Sequence, residues 1–347
     1  MSLIDGAIRT LVDSSIEVVG APEWFAGDRL AVVIRQAGKA TLLIQRADGS
    51  EARTYNLLRG GSGDQLRVAP DGRSAVFVGR DGGFGTVELL DLASGRQTTL
   101  VASPDDFADG NAPEGRGIGA LAWSEDSKRV LYVADIWTPT PTVRQVTLAG
   151  VDEALRPLPV SIYGQAQIFF PSPTRPDVVE LAGARNFAGA GAVVLVPIAA
   201  GLPRVLLPQF ALGGPLSPDG HAVAVQMPTA DRQGVGEIRV VSVDGSTVRT
   251  IPLSFVPLPA AVKWHPDGRR LLALGREKSG APLTVYSVPI DGGGASVVAR
   301  VGSTRDEALA VSADGRFIAV TMTGTAKDTW LKLDYDVSGI FPSAGKR

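Results

Sequence analysis

The sequence predicts an all-β fold, a seven-bladed β-propeller of four-stranded antiparallel blades, and three observations carry that prediction. A short phrase recurs seven times: an apolar residue, then Ser/Ala/His-Pro-Asp-Gly-Arg or a degraded form of it, then an apolar run. Its aspartates, Asp28, Asp71, Asp126, Asp177, Asp219, Asp267 and Asp314, are separated by 43, 55, 51, 42, 48 and 47 residues, close to the period of ~40–50 residues of propeller blades. A second turn follows the first within several repeats, so that a repeat holds two hairpins and therefore four strands.

Taken in order, residues 16–58 form the first repeat, with Gly27-Asp28-Arg29 leading into Leu30-Ala31-Val32-Val33-Ile34. Residues 59–103 carry Pro70-Asp71-Gly72-Arg73 and the run Ser74-Ala75-Val76-Phe77-Val78; residues 104–160 carry Glu125-Asp126-Ser127-Lys128 and Val130-Leu131-Tyr132-Val133. The fourth repeat, 161–209, has the most altered phrase, Pro173-Thr174-Arg175-Pro176-Asp177. Residues 210–254 and 255–302 keep Pro218-Asp219-Gly220 and Pro266-Asp267-Gly268-Arg269, and 303–340 has Ala313-Asp314-Gly315-Arg316 before Phe317-Ile318-Ala319-Val320. Runs of ~4–6 aliphatic or β-branched residues between Gly, Pro and Asp clusters are too short for helices and fit buried strands.

Asp-Gly suits these turns because Gly takes positive φ without penalty and Asp bonds its own backbone. The second turns are Asp48-Gly49, Ser94-Gly95, Asp244-Gly245 and Asp291-Gly292, each joining a third strand to a fourth. Val68, Trp123, Leu216, Trp264 and Val311 stand three residues before their aspartates, with Trp24 one position further out. A large apolar residue at a fixed repeat position indicates packing between blades; Trp330 falls on the third strand of the last one. That last repeat lacks a clear second hairpin, whereas Asp5-Gly6-Ala7-Ile8-Arg9-Thr10-Leu11 reads like a fourth strand. Residues 5–13 are therefore expected to complete the last blade and close the ring, which removes exposed end blades.

The phrase resembles the WD-like repeat of TolB-type propellers, found also in prolyl-oligopeptidase propellers and several bacterial envelope proteins. The resemblance covers nearly the whole chain, read as a single domain over 1–347, and specifies the blade without specifying the task. It implies an extracytoplasmic setting, in the periplasm or at the cell surface, and leaves room for further domains of a larger envelope protein. The sequence departs from TolB in having no preceding α/β domain and seven repeats instead of six, and it carries no hydrolase domain, so peptidase activity is not implied.

Composition narrows the classes. With 44% hydrophobic residues, 20% charged residues, 41 Gly and 24 Pro in 347 residues, the chain is globular and rich in turns. Its 34 basic and 36 acidic residues are interspersed and give a net charge of −2, which offers no basic stripe for nucleic acid. The absence of cysteine excludes disulfides, thiolate metal sites and cysteine nucleophiles. No apolar stretch approaches the ~18 residues of a membrane span, and Met1–Asp5 lacks the zones of a signal peptide.

Ligands of propellers usually meet the loops that join strand four to the next blade and strand two to strand three, around the channel mouth. The longest such connection, 102–119, carries Asp105, Asp106, Asp109, Glu114 and Arg116. Its acids are the candidate ligands for calcium, although the spacing of a calcium-binding loop is missing and a solvated acidic loop is the expected reading. No other cofactor is expected. Loops between strands two and three present Phe84, Trp137, Arg185, Phe187 and Arg232, with Arg276 and Lys278; aromatic and Arg side chains at loop tips dominate protein interfaces. Trp137, Arg185, Phe187, Arg116, Arg232 and Phe84 are the candidate partner contacts. His221 and His265 fall at the Asp-Gly turns and read as structural.

The inner strands are expected to be nearly free of acids, with Asp64 and Glu307 as exceptions, so no catalytic residue is assigned. The expected function is a non-catalytic scaffold that binds protein or peptide through its loop face. The alternative is a channel-site enzyme, a lactonase or lyase acting on a sugar derivative, with or without a divalent ion.

Overall fold

The computed structural model describes residues 9–12, 16–59, 65–81, 84–102, 117–136, 140–158, 167–170, 178–185, 191–209, 211–212, 214–228, 235–302, 305–323 and 330–333. Among them there are strands and turns and no α-helix. After β1 (Arg9–Val12), the first sheet comprises β2 (Glu17–Phe25), β3 (Arg29–Gln36), β4 (Lys39–Arg46) and β5 (Arg53–Asn56). The second holds β6 (Arg67–Val68), β7 (Ser74–Asp81), β8 (Phe84–Asp91) and β9 (Gln97–Val101), and the third β10 (Ile118–Trp123), β11 (Arg129–Ala134), β12 (Thr142–Thr147) and β13 (Asp152–Pro157). The fourth is built from β14 (Gln167–Phe169), β15 (Val178–Arg185), β16 (Gly191–Pro197) and β17 (Arg204–Leu207), and the fifth from β18 (Ala222–Pro228), β19 (Val235–Ser242) and β20 (Val248–Pro252). The sixth contains β21 (Val256–Trp264), β22 (Arg270–Arg276), β23 (Leu283–Pro289) and β24 (Ser296–Gly302). The last comprises β25 (Arg305–Val311), β26 (Ile318–Thr323) and β27 (Trp330–Leu333), and β1 completes it.

The fold is thus an all-β propeller, and the expectation of seven four-stranded blades is corrected: six sheets have four strands, and the fifth repeat gives a sheet of three. Its innermost strand is reduced to two isolated bridges, Leu212 with Gln226 and Leu216 with Val223. Two local causes are visible. Pro215 has no N–H to give to a ladder, and Gly214 lies so close to the neighbouring strand that an added Cβ would sit 1.5 Å from the Ala224 carbonyl oxygen.

Ring closure by the chain ends is observed directly. β1 pairs antiparallel with β27, Arg9 opposite Leu333 and Thr10 opposite Lys332. The first strands of successive sheets touch, β2 with β6, β6 with β10, β10 with β14, β21 with β25 and β25 with β2, and so surround a central channel.

Adjacent sheets bury apolar faces against each other. Val76, Val78 and Val87 of the second sheet meet Leu121, Trp123, Val130 and Tyr132 of the third. Each such side chain taken from water contributes roughly 1.5–3 kcal/mol. The recurring tryptophans act at these seams: Trp123 Nε1 donates to the Arg67 carbonyl at 3.0 Å, and Trp264 Nε1 to the Pro215 carbonyl at 2.8 Å. Trp24 instead stacks on Phe317 at 5.6 Å, and its Nε1 has no acceptor.

The Asp-Gly phrase is structural, as its chemistry predicts. Asp71, Asp126, Asp219, Asp267 and Asp314 each accept the N–H two residues on, at 2.9–3.1 Å. Ser124, Ser217 and Ser312 donate their hydroxyls to the same carboxylates. His265 belongs to this set: its Nδ1 accepts the Asp267 N–H at 3.2 Å.

Candidate functional site

Cross-strand register shows which inner-strand positions are equivalent. Trp24, Val68, Trp123, Trp264 and Val311 each face one of the first two residues of the second strand, namely Leu30, Ala75, Val130, Leu271 and Ile318. The residue before each is then also equivalent: Glu23, Arg67, Ala122, Lys263 and Ala310, with Pro215 before Leu216. Three of these positions are charged and three carry small or apolar side chains.

Local irregularity sets the two longest inner strands. β2 shifts register between Val19 and Glu23, and β21 between Pro257 and Val262. Gly20 with φ 83° opens the first bulge, and prolines at 22, 257 and 259 withhold ladder donors. Bulges re-aim the side chains that follow them, and Glu23 and Lys263 are those side chains.

Glu23 and Arg67 meet on the channel wall, and Lys263 lies near enough to feel the charge of both. Glu23 Oε1 accepts the Val68 N–H at 3.1 Å, and Oε2 lies 4.0 Å from Arg67 Nη1, with no hydrogen-bond partner of its own. The Glu23 and Arg67 side chains retain 20% and 32% of their exposure, while Oε2 itself is shut off from solvent. Lys263 belongs to the sixth sheet and Arg67 to the second, with the last and first sheets between them around the ring. Their mutual influence therefore runs across the channel.

The electrostatics follow from crowding. Burial pushes the Glu23 carboxyl up to about 7, against the opposing pull of Arg67, the Val68 N–H and Lys263. Burial, and then the Arg67 charge, hold the Lys263 ammonium below its usual range, with Glu23 acting the other way. No hydrogen bond or ion pair joins the Lys263 ammonium to a described residue. Two cations thus act on one carboxyl, and one of the cations has no partner among the described residues. Such a site attracts an anion, and two cationic donors are suited to a carboxylate.

A second buried acid sits where the fifth inner strand is broken. Glu180 on β15 is fully buried; its Oε1 accepts the Gly214 N–H at 3.3 Å and its Oε2 has no partner. Burial raises this carboxyl to about 8, so near neutral pH it is a neutral group serving a displaced backbone.

The sequence-derived candidates occupy other places. Phe84 begins β8 and Arg185 ends β15, at hairpins that share the face opposite the Asp-Gly turns. Trp137, Phe187, Arg116 and Arg232 lie outside the described residues, as do Asp64 and the acids Asp105, Asp106 and Asp109. Glu307 lies within β25. Arg276 Nη1 donates to the Ala281 carbonyl at 2.8 Å. Among the described residues no group of three or more His, Asp or Glu is placed to hold a metal.

The channel charges are the residues that the sequence reading passed over. Their signal was present: a charged residue directly before the large apolar anchor in Glu23-Trp24, Arg67-Val68 and Lys263-Trp264. A search of inner strands for clustered acids misses a site made mostly of bases.

No family model and no curated protein matches the sequence. Solved structures match by fold. An oligogalacturonate lyase from Vibrio parahaemolyticus superposes with a TM-score of 0.71 at 12% identity, over 95% of this chain and 93% of that one. The β-propeller domain of the Trilobed protease from Pyrococcus furiosus, which has an open velcro topology, gives 0.63 at 14% identity, over 92% and 95%. A putative TolB from Agrobacterium tumefaciens gives 0.50 at 16% identity, over 73% and 85%. TolB and other propellers are therefore structural neighbours, in line with the resemblance carried by the Asp-Gly phrase. At these identities the likeness is one of fold.

Proposed function

We propose that the protein is a binding module that takes a carboxylate-bearing, extended segment of a protein or peptide partner into its channel. The observation that carries this reading is Arg67 set 4.0 Å from Glu23, with Lys263 near enough to feel both charges and without a partner among the described residues. The charged position lies near the turn end of each inner strand, six residues from the start of β2. At ~3.3 Å per residue, a ligand entering at the loop face has to extend roughly 15–20 Å to reach it. A peptide strand spans that distance. Trp137, Arg185, Phe187, Arg116, Arg232 and Phe84 are the proposed contacts at the rim, and an extracytoplasmic location belongs to the same proposal.

The test is fluorescence anisotropy with a labelled, flexible peptide ending in two aspartates, beside its asparagine counterpart. Binding of the aspartate form that falls at least tenfold in R67Q and K263Q supports the reading. Equal binding of both peptides, or binding untouched by the two variants, overturns it.

A second reading, proton transfer on a carboxylated sugar, is favoured by one observation: the Glu23 and Lys263 proton affinities both move toward neutrality in one channel. A lyase needs a base for the departing proton and a cation for the substrate carboxylate. Incubation with oligogalacturonate, with and without divalent metal, followed by absorbance of unsaturated products, decides it; a flat trace from folded wild type removes the enzyme reading.

A further inference from the structure

The seam between the first and second sheets differs from two others around the ring. On the outermost strands β17 and β20, Arg204 and Arg249 each face the residue two before the end of the third strand, Leu195 and Val240. From there Arg204 Nη1 donates to the Val243 carbonyl of the next sheet at 2.6 Å, and Arg249 Nη1 to the Ile290 carbonyl at 2.8 Å. Each guanidinium thus clips its own sheet to the residue that follows the third strand of its neighbour. Arg53 on β5 holds the same place, opposite Ile44. The carbonyl that corresponds to its repeat task, that of Leu92, is met instead by the Tyr55 hydroxyl at 2.7 Å. Arg53 is thereby released from the seam. Among the described residues no hydrogen bond or ion pair holds its side chain, nor that of Arg73.

The same seam contains a cavity of about 320 Å³ on the face of the Asp-Gly turns, outside the channel. Phe25, Ile44, Tyr55 and Leu92 give it an apolar floor, buried or half-buried, while Arg53 and Arg73 line it as exposed residues. Arg29, which also lines it, is paired with Glu51. Asp91 is the acid in the lining, and its Oδ1 already accepts the Ala93 and Ser94 N–H groups.

We propose that this cavity is a second ligand site, for a small organic anion whose carboxylate pairs with Arg53 and Arg73 and whose apolar body lies on Phe25, Ile44, Tyr55 and Leu92. Its volume stands at the lower end of the ~300–1,000 Å³ of small-molecule sites, which suits a body of roughly two fused rings. Guanidinium groups are shaped for bidentate pairing with a carboxylate, and these two have no internal partner to give up. The floor adds apolar burial that an inorganic anion has no surface to use. No residue is shared with Glu23, Arg67 and Lys263, so the site stands apart from the channel reading.

The probe is 2-naphthoate, beside its uncharged counterpart 2-naphthamide, titrated calorimetrically into wild type, R53Q, R73Q, A93F and K263Q. Naphthoate is expected to bind wild type and K263Q equally. Naphthamide binds about tenfold more weakly, and R53Q and R73Q each lose about tenfold for naphthoate while leaving naphthamide unchanged. A93F, which puts a ring into the cavity, binds neither compound. Both arginines are exposed and without a described partner, so R53Q and R73Q keep the wild-type unfolding midpoint. A midpoint lowered in R53Q would make Arg53 a seam clip after all and overturns the inference. No naphthoate binding by folded wild type, equal affinity for the two compounds, or affinity untouched by R53Q, R73Q and A93F also overturns it. Loss of naphthoate in K263Q alone moves the anion to the channel, which overturns this site and supports the channel reading.

Discussion

Trp123 Nε1 reaches back across a blade seam to the carbonyl oxygen of Arg67, at 3.0 Å. The same tryptophan is 1% exposed, so one side chain fills the seam and fixes the backbone of a channel-lining residue. Trp264 repeats this on Pro215, whereas Trp24 has a partner for its ring and none for its N–H. Trp123→Phe and Trp264→Phe lose the hydrogen bond, though the Pro215 carbonyl keeps the Ala224 N–H at 3.2 Å. Trp24→Phe loses only volume. Urea denaturation is expected to show the first two costing about 1 kcal/mol more than the third.

Gly214 has a neighbour that admits no side chain, the Ala224 carbonyl oxygen 1.5 Å from a Cβ position. Gly214→Ala is expected to destabilise by about 3 kcal/mol or more, or to force the fifth inner strand out of place. Gly294→Ala, with nothing within 4 Å of its Cβ position, is expected within about 0.5 kcal/mol of wild type. Thermal denaturation of the pair checks the contrast.

Glu180 gives stability a dependence on pH with a definite sign. Its folded proton affinity is raised, from 4.5 to about 8. The stability it contributes is therefore fully present below about pH 4.5 and is lost progressively as pH rises toward about 8. Glu180→Gln keeps an acceptor for the Gly214 N–H and removes the titration. Denaturation midpoints from pH 5 to pH 9 should fall less steeply in the variant than in wild type; parallel curves would move the carboxyl out of its assigned environment.

Lys263 is a crowded cation without a partner among the described residues, an arrangement that costs stability. Lys263→Met is expected to raise the unfolding midpoint, by about 1–2 kcal/mol, while abolishing anion binding. Gain of stability with loss of binding is the signature of a residue kept for function. A variant that loses both would identify Lys263 as a structural residue.

The blade phrase made most of the fold legible, because a turn with an Asp cap and a positive-φ Gly has few alternatives, and Asp71, Asp126, Asp219, Asp267 and Asp314 all cap as that chemistry requires. The terminal closure was legible too, through the likeness of residues 5–11 to other fourth strands. The weakened fifth inner strand was less so: Leu212-Gly213-Gly214-Pro215-Leu216 still has apolar residues at its ends, and only tertiary contact shows Gly214 pressed onto Ala224. The channel site was hidden for a different reason. Glu23, Arg67 and Lys263 are 44 and 196 residues apart in succession, and nothing local announces that blades 1, 2 and 6 bring them to one axis.

The pairing of β1 with β27 places Arg9 opposite Leu333, and so sets a timetable for the growing chain. At ~5–20 residues per second of synthesis, β1 leaves the ribosome roughly twenty seconds to a minute before its partner exists. During that interval its edge is open to strands of neighbouring chains, because the last sheet consists of its outer member alone. A propeller latched in this way leaves that edge unpaired until its last sheet is made.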